Sequence, residues 1–236
     1  MANRSYLYSI SNQPNNHNDR PDIAYGLSEW AYSIPLIHRI LMSGDPKRCE
    51  SLIFSGLEND DFDEDEDECE IDEEQDLPLY AVTSHFESGY KRLKKFLSIL
   101  EVLFSDIESD IIDDIQETIC FLEKNKLPYL ILDTVEIDMM LISGADNLRD
   151  AVDEEIERCL SIGKVIDELP DNIDEAAKIV KSAIIKPKAN ELYVFSDIRL
   201  DETYDHIRCG EPLGLSYWSN DLYYYLLNKK EFEENK

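Results

Sequence analysis

Between Glu58 and Asp76 the chain carries fourteen carboxylates and no base in nineteen residues. Like charge at that density repels itself, and only Phe62, Cys69 and Ile71 offer apolar surface within the run. Residues 58–76 therefore read as a disordered acidic insertion, and any core has to be assembled from segments on either side. Gly56 and Pro78 bracket the run, and Leu79, Tyr80, Ala81 and Val82 then resume as a strand. Because no Gly/Ser/Pro-rich linker divides the chain, residues 1–236 read as a single domain. Asp61, Asp63 and Asp65 alternate as the first ligands of a calcium loop do. Glu66, Glu68 and Asp72, however, stand where the turn glycine, the apolar residue and the bidentate glutamate belong, so no metal and no cofactor is expected.

The insertion is not the whole of the charge. The net charge is −29 over 236 residues, with a pI near 4.3. Residues 1–57 are neutral, whereas residues 77–236 hold 33 acids against 18 bases. A field of that sign repels phosphate backbones and anionic membranes and speeds encounters with basic proteins. Direct nucleic-acid binding and membrane binding are thus excluded as expectations. Cysteines stand at 49, 69, 120, 159 and 209, an odd number with no CxxC pair, which fits reduced thiols in the cytoplasm. No signal peptide is expected, since MANRSYLYSI has Arg4 but no long apolar core and no small-residue cleavage site, and no membrane span is expected, since no apolar run reaches 18 residues.

Periodicity supplies a coarse map. SYLYSI (5–10) and LYAVTS (79–84) read as strands, as does ELYVFSDI (191–198). Leu27 to Met42 reads as helical in parts, broken near Pro35, and SGDP at 43–46 as the cap of a short helix reaching Leu52 or Ile53. From Ser88, the stripe Tyr90, Leu93, Phe96, Leu97, Leu100, Leu103 and Phe104 follows a 3.6-residue period, with Lys91, Arg92, Lys94 and Lys95 opposite. Ile107 to Leu122, Asn147 to Leu160 and Ile173 to Ile185 are further helices, and Ser219 is expected to cap a last one through Lys230. Residues 127–141 fit a strand or a helix equally. Three or four strands with about six helices, in no regular βαβ alternation, make an α+β domain.

Two of these helices carry rows of acids. Asp106, Asp110, Asp113 and Glu117 recur at helical spacing, thickened by Asp114, and Asp150, Asp153, Glu154 and Glu157 repeat the pattern later. Such rows read either as solvated faces or as docking surfaces for Lys and Arg. Tyr217, Trp218, Tyr223, Tyr224 and Tyr225 crowd into nine residues; one helix cannot bury three successive tyrosines on one face, so some aromatic surface belongs at an edge. Tyr217, Trp218 and Tyr224 join the carboxylates as candidate partner-binding residues. Nothing catalytic stands out: the histidines are scattered, His206 and Cys209 are half a metal site without a second half, and no nucleophile elbow or phosphate loop occurs.

MANRSYLYSISN, GLSEWAYSIPLIHRILMSGDP and GEPLGLSYWSNDLYYYLLN resemble a family of uncharacterised bacterial proteins that open in this way. That resemblance implies no catalytic residue. In general character the chain is also similar to immunity proteins of toxin systems. The expected function is a cytoplasmic acidic protein that neutralises a basic protein partner, such as a toxin or a nucleic-acid-binding protein. The alternatives are a nucleic-acid mimic that inhibits DNA-binding proteins and an enzyme without a recognisable motif.

Overall fold

The computed structural model describes residues 3–56, 78–105, 110–142, 144–206 and 211–235. The acidic run 58–76, Asp106 and Cys209 lie outside them. In the described residues the strands β1 (Arg4–Ile10), β2 (Ala24–Ala31), β3 (Lys47–Glu50), β4 (Tyr80–His85) and β5 (Tyr129–Asp133) form one antiparallel sheet, in the order β2-β1-β5-β4-β3. The helices are α1 (Leu36–Met42), α2 (Phe86–Phe104), α3 (Ile111–Lys124), α4 (Val135–Leu141), α5 (Ala145–Glu168), α6 (Ile173–Ile185) and α7 (Lys229–Glu234). The architecture is α+β, with five strands where three or four were expected.

The pleat divides the sheet's side chains between two different covers. Leu7, Val82, Leu130 and Leu132 face the helices and merge with the apolar stripes of α1, α2, α3, α5 and α6 in the main core. Tyr6, Tyr8, Ile10, Cys49, Ala81 and Ile131 point the other way, away from that core. Their cover is Leu52 and Ile53 from the loop after β3, and Leu222, Tyr224 and Leu226 from the C-terminal segment. α1 and α2 cross closely because Gly89 has no Cβ; one built there would fall on the carbonyl oxygen of Leu41.

Several expectations fail for definite reasons. Residues 27–31 belong to strand β2, whose alternation is interrupted by a bulge opposite Leu7 and Tyr8. SGDP does not cap a helix: Asp45 adopts a left-handed conformation (φ 69°), Gly44 accepts from the His85 amide, and residues 47–50 pair with β4. Residues 127–141 are both alternatives in turn, β5 and then α4. ELYVF forms a 3₁₀ turn, Glu191–Phe195, because the Asn190 side chain accepts from the Leu192 amide and Phe195 stacks on Phe96 with centroids 5.9 Å apart. The helix expected after Ser219 is absent until Lys229, where Asn228 and Glu231 form a capping box. Residues 219–228 instead run as an irregular strap, which lets Tyr224 turn inward while Tyr223 and Tyr225 stay exposed.

Candidate functional site

α3 begins at Ile111, so Asp110 is its N-cap residue and Asp113 and Asp114 lie in its first turn. Carboxylates there face the positive end of the helix dipole, which offsets part of their mutual repulsion. Ile111, Ile115 and Leu122 enter the core. At 100° per residue, Asp110, Asp113 and Glu117 occupy one outward arc, with Lys124, and all are exposed. Asp114 stands apart from them, accepting a hydrogen bond from the Tyr204 hydroxyl. Burial and that carboxylate together push the phenol up from its ordinary value.

The flank of α3 next to this arc is held by the segment 211–220. Thr118 Oγ1 donates to the Leu215 carbonyl at 3.2 Å, the Phe121 ring meets Trp218 at 6.0 Å, and Asn220 Nδ2 donates to Asn125 Oδ1 at 3.0 Å. Asp205 clamps the same segment from behind, accepting from the amides of Gly214 at 2.6 Å and Ser216 at 2.8 Å. Burial raises the Asp205 pKa against the lowering effect of those bonds. Farther along, the Ser219 amide donates to the Leu27 carbonyl at 3.0 Å, so the segment runs beside the edge strand β2.

At Tyr217 the backbone turns to a left-handed φ of 65°, an uncommon conformation for a residue with a Cβ. Ser28 Oγ holds it by donating to the Tyr217 carbonyl at 3.2 Å. The ring is 69% exposed and meets Trp30 edge-on at 5.1 Å. A cleft of about 370 Å³ opens here between β2 and the strap, lined by Trp30, Tyr217, Trp218, Glu29, Asp221 and Arg4 among others. The fully buried His38 ring lies 5.7 Å from Trp218, and burial lowers its pKa to about 3, so the imidazole is neutral. The fold thus brings Trp218 against α3 at Phe121, one turn beyond Glu117, while the neighbouring Tyr217 faces Trp30 of β2.

The acids of α5 lie elsewhere and are engaged at home. Asp153 pairs with Arg48 at 2.6 Å, Glu154 with Arg158 at 3.0 Å, and Asp150 lies 4.0 Å from Arg149. Glu157 is exposed on the same helix. Between them Glu155, which the row of exposed acids hid from sequence reasoning, is buried and binds Arg39 at 2.6 Å and Arg158 at 3.1 Å. Tyr224 packs on Tyr6 at 5.3 Å and Phe54 at 5.2 Å over the sheet's second face.

A second polar group escaped the sequence. Asp133, at the end of β5, is 1% exposed and accepts from Ser51 Oγ at 2.5 Å and the Val135 amide at 3.2 Å. Burial dominates those bonds and raises its pKa to about 7. Next to it, Glu136 accepts from the Tyr6 hydroxyl at 2.7 Å and the Arg4 amide at 3.0 Å. The only trace in the sequence is an aspartate closing the apolar run LPYLILD. Among the described residues no group of three or more His, Cys, Asp or Glu is placed to hold a metal ion, and no helix is long and apolar enough to cross a membrane.

Fold and site together define an α+β protein with an antiparallel sheet, helices on one face and a surface of carboxylates and aromatic rings at one edge. Residues 11–183 match the family model described as a domain of unknown function (DUF7822), and the chain belongs to that family. The match includes α3 and α5 but stops short of Tyr217 and Trp218. No curated protein and no solved structure matches the chain.

Proposed function

We propose that this protein binds and neutralises a basic protein partner in the cytoplasm, in the manner of an immunity protein, and that the α3 edge is its docking surface. The observation that supports this reading most directly is the exposed arc of Asp110, Asp113 and Glu117 on α3, a helix whose adjoining flank holds the segment that carries the exposed ring of Tyr217. Carboxylates of this kind accelerate encounter and fix orientation, while a desolvated aromatic anchor slows dissociation. Asp150, Asp153 and Glu154 of α5 contribute to the long-range field only, because their near neighbours are already arginines. Mimicry of a nucleic-acid backbone calls for a long uninterrupted row of free charge, and the ion pairs of α5 break it.

The test is capture from host lysate at low salt, followed by reconstitution with the purified basic protein. A unit-stoichiometry complex whose association slows steeply with salt, and which D110K/D113K/E117K weakens at least tenfold, is the expected result. Release of many captured proteins by added duplex DNA would favour mimicry instead. Unchanged binding by the triple reversal would remove α3 from the interface.

A further inference from the structure

We infer that the cleft beside Tyr217 receives an arginine side chain of that partner, an inference that rests on the docking role proposed above. The cleft combines what a guanidinium requires. The exposed Tyr217 ring and the half-buried Trp218 supply aromatic surface over the buried Trp30, and Glu29 and Asp221 supply carboxylates at the rim. Its volume, about 370 Å³, is near the lower end of ligand pockets, about 300–1,000 Å³, and suits one long side chain better than a cofactor.

The charge balance gives the sign of the guest. Arg4 and Glu29 lie 3.4 Å apart and neutralise one another. Glu29 also accepts from the Tyr223 amide at 2.6 Å, so its second oxygen is occupied. Asp221 is exposed and forms no ion pair among the described residues, which leaves the lining with one uncompensated negative charge. Arg4 itself sits over the Tyr223 ring at 5.1 Å while paired with Glu29. One guanidinium is thus already held at this edge between a carboxylate and an aromatic face, and Asp221 with Tyr217 offers the same arrangement to a second. Arginine fits it better than lysine, because its plane stacks on a ring while its fork meets a carboxylate.

The backbone at Tyr217 is consistent with this assignment. A left-handed tyrosine is held by the Ser28 hydroxyl and by neighbours that Asp205 clamps, and the outcome is an exposed ring at the cleft wall. Strain of this kind concentrates where a side chain has to be aimed.

Both tryptophans of the chain, Trp30 and Trp218, line this cleft, so tryptophan emission excited at long wavelength, where the 13 tyrosines absorb little, reports on it. Titration of the full chain at low salt with octa-arginine, octa-lysine and the neutral isostere octa-citrulline tests the inference, with calorimetry run alongside. Expected are a saturable change in tryptophan emission with octa-arginine, a smaller one with octa-lysine and none with octa-citrulline. D221N and Y217N should each weaken the octa-arginine response about fivefold; asparagine tolerates the left-handed backbone, and D221N alters only an exposed charge, so both should keep the fold. Binding seen by calorimetry with silent tryptophans, or with unchanged affinity in D221N, would overturn the cleft and leave the docking role standing. Equal responses to arginine and lysine would overturn the choice of arginine. No calorimetric binding of any basic peptide would overturn the docking role, and the cleft with it.

Discussion

Single residues set the pH behaviour of this protein. Asp133 is the plainest case: its folded pKa, near 7, lies above the ordinary carboxylate value, so the folded state favours the protonated form. Stability from that preference is complete below the ordinary carboxylate pKa and is lost as pH rises through about 7. His38 acts oppositely. Its folded value of about 3 makes the fold lose stability as pH falls below the ordinary histidine value of 6.5. The two terms overlap between about pH 4 and 6.5, so a wild-type profile alone will not separate them. In D133N the histidine term is unchanged. The stability difference between D133N and wild type should therefore shift in favour of D133N by a few kcal/mol between pH 5 and pH 8. Denaturant titrations at several pH values measure it, and a difference constant with pH would show that Asp133 does not carry the limb.

Among the elements, α1 and α2 give the sharpest mechanical test. Gly89→Ala gains roughly 1 kcal/mol in helix propensity, yet the new methyl falls on the backbone of Leu41, which cannot rotate away as a side chain does. A net loss of about 1–3 kcal/mol is expected from the forced separation of the helices. An unchanged or raised denaturation midpoint would count against the packing described here. Helices were the legible part of the sequence. The 3.6-residue stripes located α2, α3 and α5, and α6 agrees with its expected range, Ile173–Ile185, at both ends. Asn190 and Asp45 were harder, because a single side-chain bond and one left-handed residue decided the local structure against the apolar pattern. β2 was obscured by its bulge, and the strap 219–228 follows no period, since its shape is fixed by residues near the start of the chain. For the same reason the site was legible in its parts but not in its assembly. The acids of α3 and the aromatic pair 217–218 were singled out separately, whereas the Arg39–Glu155 pair and the Ser51–Asp133 bond depend on partners 116 and 82 positions away.

At the scale of the whole molecule, the two faces of the sheet differ in how they are held. The helical face is sealed by amphipathic helices that pack on the sheet and on one another, but the second face depends on the strap and on the loop after β3. Truncation after Ser219 should leave the sheet formed and expose Tyr6, Tyr8 and Ile10, which binding of a hydrophobic dye would register as a gain over the intact chain. A truncated chain that bound no more dye would show that the strap is dispensable as a cover. The strap also has a consequence in time. The Tyr8 hydroxyl donates to the carbonyl of Tyr224, 216 positions later, so the second residue of this contact is made long after the first. During synthesis at about 5–20 residues per second, β1 emerges roughly ten seconds or more before the strap that completes its cover. Once β5 has joined it, the nascent sheet presents a tyrosine-rich surface to whatever surrounds the ribosome, until the strap emerges and closes it.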